Sequence, residues 1–413
     1  MVEPAPHVLR ILRESHEERV LTALRRHGGM SRVDLGRHTN LSRATLSSIV
    51  RRLVSTGTLL EVPATDTPRG RGRPPMHVTL NPAGGLALGV DLGHRRIHVV
   101  AANVAHEIVG SGSVACAESA TWSRRLRMAL DLVDDVAART ELSLQGLRGI
   151  GVGLVGPVAT AGGTSGPHHA RRVALAQDTL VERFGVPVFV DNNTRLAGLA
   201  EAIWGSGNGC QNVLYLRLSY GIGGGLVLDG HLFSGSAGGA GELGHVSVDP
   251  NGPDCPCGGR GCLERYAGLA EVLQQCGVRD LGAVLERLRL DDPRVVDVVR
   301  RTGERVGRVL ASACNVVNPE LVVVGGELVA TGRHLLDPAR AAVRLYTHRH
   351  VRRQLRVRAA ELGEEGSARG AIALVLRNSA LLADYPGGAA RDDAARQEPD
   401  PSPSSTLTTR RTP

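Results

Sequence analysis

Residues 241–264 read GELGHVSVDPNGPDCPCGGRGCLE and bring His245, Cys255, Cys257 and Cys262 into one short stretch. Three of the chain's seven cysteines fall within eight residues there. Zn²⁺ in a structural role takes a closed tetrahedron of thiolates and imidazole. Three Cys and one His supply that set and leave no position open to water. Gly252, Gly258, Gly259 and Gly261 let a short backbone turn tightly around an ion. A group of ordinary buried thiols would not need this ligand set at this spacing. Glu242 lies three residues before His245, and Glu264 two after Cys262. On a loop pinned by metal, two carboxylates stand at defined places and suit neighbouring hydroxyl groups, as on a sugar. Taken singly, either Glu also reads as a solvated surface charge.

GELGH followed by CPCGGRGCLE resembles the signature of the ROK family of sugar kinases and sugar-responsive repressors. The resemblance implies structural zinc on His245, Cys255, Cys257 and Cys262. It also implies sugar contacts by Glu242, His245 and Glu264. One imidazole can serve both ends, with a metal on one ring nitrogen and a hydrogen bond on the other.

The elements that must carry this site begin after a separate head. Residues 1–80 hold 13 Arg against 7 Asp plus Glu, a local +6 out of a chain total of +8. Residues 7–27 read as a helix ended by Gly28-Gly29. Ser31, with Asp34 three residues on, opens a short helix in a capping-box pattern. Ser42 opens another over 43–55, with Leu46, Ile49, Val50 and Leu53 on one face. Ala44, Ser47, Ser48 and Arg51 point the other way, with Arg43 and Thr45 on the flanks. This is the pattern of a helix-turn-helix, whose small outward side chains let a helix enter a major groove. A plain helical bundle with a solvated face would show the same periodicity. Residues 58–62 and 76–80 read as strands around the basic tip Arg69-Gly70-Arg71-Gly72-Arg73-Pro74-Pro75. A basic hairpin tip directly after a helix-turn-helix reads as a wing, and RGRP resembles the core of an AT-hook, whose arginines enter a narrow minor groove. Arg43, Thr45, Ser47, Arg51, Arg69, Arg71 and Arg73 are therefore the candidate contacts to double-stranded operator DNA. The order helix, turn, helix, wing resembles the head of ROK repressors, which ROK kinases lack.

From Asn81-Pro82 onward, strands first in a meander and then alternating with helices predict an α/β domain with a mixed sheet. Strands are expected at 96–102, 109–116, 149–155, 186–190, 213–218 and 321–324, and helices at 122–142, 194–204, 294–317 and 333–345. The resemblance implies the two-lobe, actin-like (ribonuclease-H-like) ROK fold over 81–385, with no internal repeat legible. Aligned on Glu201, Asn192 matches the family's sugar-binding Asn, and Asn193 matches its catalytic Asp. An amide cannot take a proton as general base, although it can hydrogen-bond a sugar. Asp191 stands one residue away, and a shifted alignment would restore a carboxylate. The first phosphate loop of the kinases, Asp-x-Gly-Gly-Thr, reads Asp91-Leu92-Gly93-His94-Arg95 here. The second, Gly-Thr-Gly, reads Ser219-Tyr220-Gly221, followed by Gly223 and Gly224. A glycine run of this kind either cradles phosphate or forms a tight hairpin. Base and both loops depart together, so no catalytic residue is assigned.

Composition agrees with this division. The chain has 413 residues and 42% hydrophobic content, and all 49 of its Lys and Arg residues are Arg. No apolar run long enough to span a membrane is present. The N-terminus does not read as a signal peptide, and an odd number of cysteines with a metal-like cluster suits a reducing cytoplasm. Residues 386–413, rich in Pro, Ser, Asp and Thr, read as a disordered tail. The expected protein is a sugar-responsive DNA-binding regulator with structural Zn²⁺, a sugar or sugar-derivative effector and a homodimeric or homotetrameric state. The alternative is an ATP-dependent sugar kinase, for a hexose or N-acetylhexosamine, with an appended DNA-binding domain.

Overall fold

Ser31 and Ser42 each start a helix, as their spacing predicts. The Ser31 hydroxyl accepts from the Asp34 N–H at 3.2 Å and donates to the Asp34 carboxylate at 2.7 Å, opening α1 (Arg32–Thr39). Asn40, left-handed at φ 50°, ends it. The Ser42 hydroxyl accepts from the Thr45 N–H at 3.2 Å and opens α2 (Arg43–Ser55), which buries Leu46, Ile49, Val50 and Leu53. The structure is a computed structural model and describes residues 16–17, 19–21, 23–24, 27–55, 57–63, 76–81, 84–103, 105–159 and 166–378. The described residues between 16 and 27 are helical, with Val20, Leu21 and Leu24 buried. Strands β1 (Met30–Ser31), β2 (Leu59–Pro63) and β3 (Met76–Leu80) form an antiparallel sheet in the order β1-β3-β2. These are the helices and hairpin of a winged head. Arg69, Arg71 and Arg73 at the hairpin tip lie outside the described residues, as does the expected tail.

The first lobe holds β4 (Leu86–Leu92), β5 (Arg96–Asn103), β6 (Ile108–Ala115), β7 (Leu147–Leu154) and β8 (Val188–Asn192) in the order β6-β5-β4-β7-β8. The first three are an antiparallel meander, and β7 and β8 run parallel to β4. Helices α3 (Trp122–Arg139) and α4 (Pro167–Phe184) share a core with this sheet. The second lobe repeats the plan. Its strands β9 (Val213–Leu218), β10 (Ile222–Leu228), β11 (His231–Phe233), β12 (Leu321–Gly325) and β13 (Arg356–Ala359) lie in the order β11-β10-β9-β12-β13. Helices α6 (Glu264–Ala267), α7 (Leu269–Cys276), α8 (Leu281–Arg289), α9 (Pro293–Val317) and α10 (Arg333–Tyr346) complete it.

Two helices join the lobes. Helix α5 (Asn193–Trp204) packs on β9 and β10, and α11 (Gly366–Asn378) packs on α5, β4 and β7. The close approach needs glycine: a Cβ on Gly89 or Gly151 would sit 1.9 Å from the Ala368 or Ala371 carbonyl oxygen. The winged head is continuous with this layer. Leu46, Val50, Leu59 and Val78 belong to the same apolar cluster as Ala87 and Val100 of the first lobe and Ile372 and Val375 of α11.

Several boundaries shift by one to three residues from the sequence expectation, and those at the end of β8 and the start of α5 bear on the site. Strand β8 runs to Asn192 rather than 190, because its backbone stays paired with β7 through Gly153–Asp191 and Leu154–Asn192. Asp191 and Asn192 are thus strand residues, and α5 begins at Asn193. Helix α4 has no counterpart in the expected elements.

Candidate functional site

The four metal-type residues converge. One ligand atom from each of His245, Cys255, Cys257 and Cys262 lies within 4.8 Å of all the others. The Cys255 Sγ to His245 Nδ1 and Cys257 Sγ to Cys262 Sγ distances are both 3.6 Å. A tetrahedron with Zn–S bonds of about 2.3 Å has edges of about 3.8 Å, so the donor set and spacing fit Zn²⁺. The loop is folded for this by its own backbone. Ser247 bridges Cys262 and Asp254 bridges Arg260, and Gly261 at φ 63° passes so close to Asp249 that a Cβ would meet its carbonyl oxygen at 1.6 Å.

The same loop presents the two carboxylates. His245 turns Nδ1 toward Cys255 and Nε2 toward Glu242, whose Oε2 lies 3.9 Å away. Burial pushes the Glu242 carboxyl above its ordinary value, and the Glu264 charge acts the same way, against His245 and Arg195. The side chain nonetheless keeps 41% of its surface open. Glu264, at the start of α6, accepts the Ile222 N–H at 2.7 Å and so ties the metal loop to β10.

The polar end of β8 leads into α5. Asn192 caps α5: its Oδ1 accepts from the N–H groups of Thr194 and Arg195 at 2.9 and 3.0 Å, and its Nδ2 donates to the Gly156 carbonyl at 2.9 Å. Asn193 donates to Asp91 Oδ1 at 3.2 Å. Asp91, next to last in β4, is 1% exposed, and burial raises its carboxyl. Asp191, the offset carboxylate, is already engaged. Its Oδ1 accepts from Arg195 Nε at 2.7 Å, from a second Arg195 nitrogen, and from the Asn192 N–H at 2.6 Å. Arg195 also donates to the carbonyls of Val158, at 2.9 Å, and Gly238. A long-range pin of this kind leaves no sequence signal beyond a carboxylate and a guanidinium four residues apart.

The glycines after Tyr220 serve packing. Gly223 and Gly224 lie within strand β10. A Cβ on Gly223 would press on Thr194 at 3.0 Å, and one on Gly224 would meet the Gly241 carbonyl at 2.5 Å. Gly221 lies beside the Glu264 carboxylate, 3.3 Å from its would-be Cβ. Gly93 abuts the Arg96 carbonyl across the β4–β5 turn, at 2.7 Å from its would-be Cβ.

On the head, Arg43 and Arg51 are exposed and Thr45 and Ser47 half-buried on α2. The Thr45 hydroxyl is 2.8 Å from that of Ser42, so it helps to cap the helix.

A winged head followed by two topologically matching lobes is the architecture of a winged helix-turn-helix joined to an actin-like ROK domain. The ROK family model matches residues 87–378, and a winged helix-turn-helix DNA-binding model matches residues 13–59. The chain belongs to the ROK family. It is similar to the xylose repressor of Caldicellulosiruptor bescii, at 25% identity over 91% of this chain and 98% of that one. It is also similar to the DNA-binding transcriptional dual regulator NagC of Escherichia coli, at 26% identity over 89% and 93%. Among solved structures it resembles a ROK family transcriptional regulator described as a homolog of the E. coli MLC protein (TM-score 0.74, 24% identity, 91% of this chain and 97% of that one). It also resembles a ROK family glucokinase from Streptomyces griseus in complex with glucose and AMPPNP (TM-score 0.59, 27% identity, 70% and 99%).

Among the described residues no helix is long and apolar enough to cross a membrane.

Proposed function

We propose that this chain is a sugar-responsive DNA-binding transcriptional regulator, a repressor whose kinase-like cleft binds a sugar effector without phosphorylating it. The observation that carries this reading is one chain holding both a winged helix-turn-helix head and a ROK domain; the amide of Asn193, bonded to Asp91, at the position we assign to the base fits it. Relatives matched across nearly their full length, one named a xylose repressor and one a DNA-binding transcriptional dual regulator, support it. In this reading the Cys₃His cluster holds structural zinc. Glu242, His245 and Glu264 meet the sugar hydroxyls, together with Asn192 and Asn193. Asp191 does not replace the missing base, because Arg195 occupies it. Paired heads from a homodimer or homotetramer read a palindromic operator. The effector acts through different affinities for two lobe arrangements. Helix α11, touching α5 and sharing a core with the head, supplies the route between cleft and DNA.

The likeness to the S. griseus glucokinase favours the kinase reading. Coupled measurement of ADP release over a sugar panel separates the two.

The test of the regulator reading is sequencing of genomic fragments captured by the purified protein. Enrichment of a palindromic site is expected, whereas no enrichment with folded, zinc-replete protein contradicts it. Two variants refine the assignment. Each arginine on a phosphate contributes about 0.9 to the slope of log K against log salt. The Arg71→Ala, Arg73→Ala double variant should therefore lower that slope by about two, and an unchanged slope removes the wing contacts. Glu242→Gln removes a charge-assisted hydrogen bond to the sugar, worth about 1.5–3 kcal/mol. The effector concentration for half response should rise about tenfold or more, with metal content and effector-free operator affinity retained. A titration matching the parent chain's would refute the contact.

A further inference from the structure

The positions that depart from the kinase phosphate loops are in contact with each other. Arg95 stands in the β4–β5 turn of the first lobe, and Tyr220 in the β9–β10 turn of the second. The Arg95 guanidinium carbon lies 3.9 Å from the centroid of the Tyr220 ring. By the family resemblance both positions are threonine in the kinase loops; here they hold a cation stacked on a phenol.

Both partners stand on pinned loops. In the first lobe the buried Arg125 guanidinium donates to the carbonyls of Gly93 at 2.7 Å and of His94, Ala117 and Glu118, each at 3.0 Å. This holds the turn carrying Arg95 beside the one carrying Glu118, and Arg95 reaches the Glu118 carboxylate at 3.3 Å. In the second lobe the Ser219 carbonyl accepts the Leu269 N–H at 2.8 Å, and the Ser219 N–H reaches the Gly221 carbonyl at 3.2 Å. Two residues past Tyr220, the Ile222 N–H donates to Glu264 at 2.7 Å. Contact with Tyr220 therefore fixes the loop that orients Glu264.

We infer that Arg95 and Tyr220 form a clamp across the cleft that fixes the approach of the two lobes and positions Glu264 for the effector. Arg95 and Tyr220 are positioning residues, acting on the sugar through Glu264. The functional consequence rests on the proposed reading of the cleft as a sugar site, but the clamp itself does not. A cation over an aromatic face is a modest interaction, stronger where water is excluded. Across a hinge it shifts a population of lobe arrangements and leaves the fold intact.

The experiment is amide hydrogen exchange on the full-length, zinc-loaded chain without any sugar, paired with solution X-ray scattering. Arg95→Ala, on the opposite lobe, should speed exchange of the Ser219–Ile222 amides about two- to tenfold and enlarge the radius of gyration. Tyr220→Ala should match it, and the double variant should add nothing. Tyr220→Phe keeps the aromatic face and should behave as the parent chain. Exchange that changes in Arg95→Ala only around residues 94–96, with an unchanged radius of gyration, overturns the clamp. Because no sugar is present, a chain indifferent to every sugar would still report on it. A clamp that holds while no sugar shifts operator binding would instead indict the functional reading.

Discussion

Cys257→Ser is expected to leave the purified chain with no stoichiometric zinc and no sugar response. Its Sγ is one corner of a four-donor set within 4.8 Å. A serine hydroxyl stays protonated near neutral pH and is a poor Zn²⁺ donor, so three ligands would remain around an open position. Structural zinc contributes on the order of 10 kcal/mol to the fold of a small metal loop. Its apolar anchors are the buried Leu263 and the partly buried Leu243 and Val248. Without the ion, Glu242, His245 and Glu264 lose their common support. The head, whose core is built from Leu46, Val50, Leu59 and Val78, should still bind DNA. Metal analysis after gel filtration checks this, and one zinc per chain in the variant would contradict the ligand set.

Arg195→Met is expected to be the most destabilising single change at the junction of β8 and α5. Arg195 is 2% exposed, and its guanidinium serves Asp191 as well as the carbonyls of Val158 and Gly238. Removing it strands a buried carboxylate and two carbonyls. Breaking a buried pair from one side costs about 3–5 kcal/mol. Asp191→Asn with Arg195→Met removes the orphaned charge and should recover a large part of the loss. Urea unfolding of the three variants reads both effects. A single variant within about 1 kcal/mol of the parent would mean that water reaches Asp191 and that the pin is not structural.

The parts legible in the sequence were those whose chemistry is local. His245, Cys255, Cys257 and Cys262 announce themselves because a metal demands donor types at short spacing whatever the surrounding fold. Ser31 and Ser42 mark helix starts because a cap is a contact over three residues. What could not be read was non-local. The two lobes share one strand order, yet β4–β8 and β9–β13 have no common sequence signature, since strand order follows from pairing and not from side-chain identity. Gly223 suits a phosphate cradle and a close helix contact equally in the sequence, and only the fold shows that it abuts Thr194 of α5. Asp191 offers a carboxylate beside Asn193 in the sequence, and only the fold shows that it accepts from Arg195. Arg95 and Tyr220 are 125 positions apart, and nothing in either neighbourhood points to the other.

The most direct test titrates a captured operator fragment and the zinc-loaded, full-length chain with a panel of sugars, recording DNA affinity and ADP release in parallel with ATP present. The expected result is one sugar, or one close group of sugars, that shifts operator affinity at least tenfold, a coupling of about 1.4 kcal/mol, while ADP stays at background. Sugar-dependent ADP release with operator affinity unmoved would contradict the regulator reading and establish a kinase.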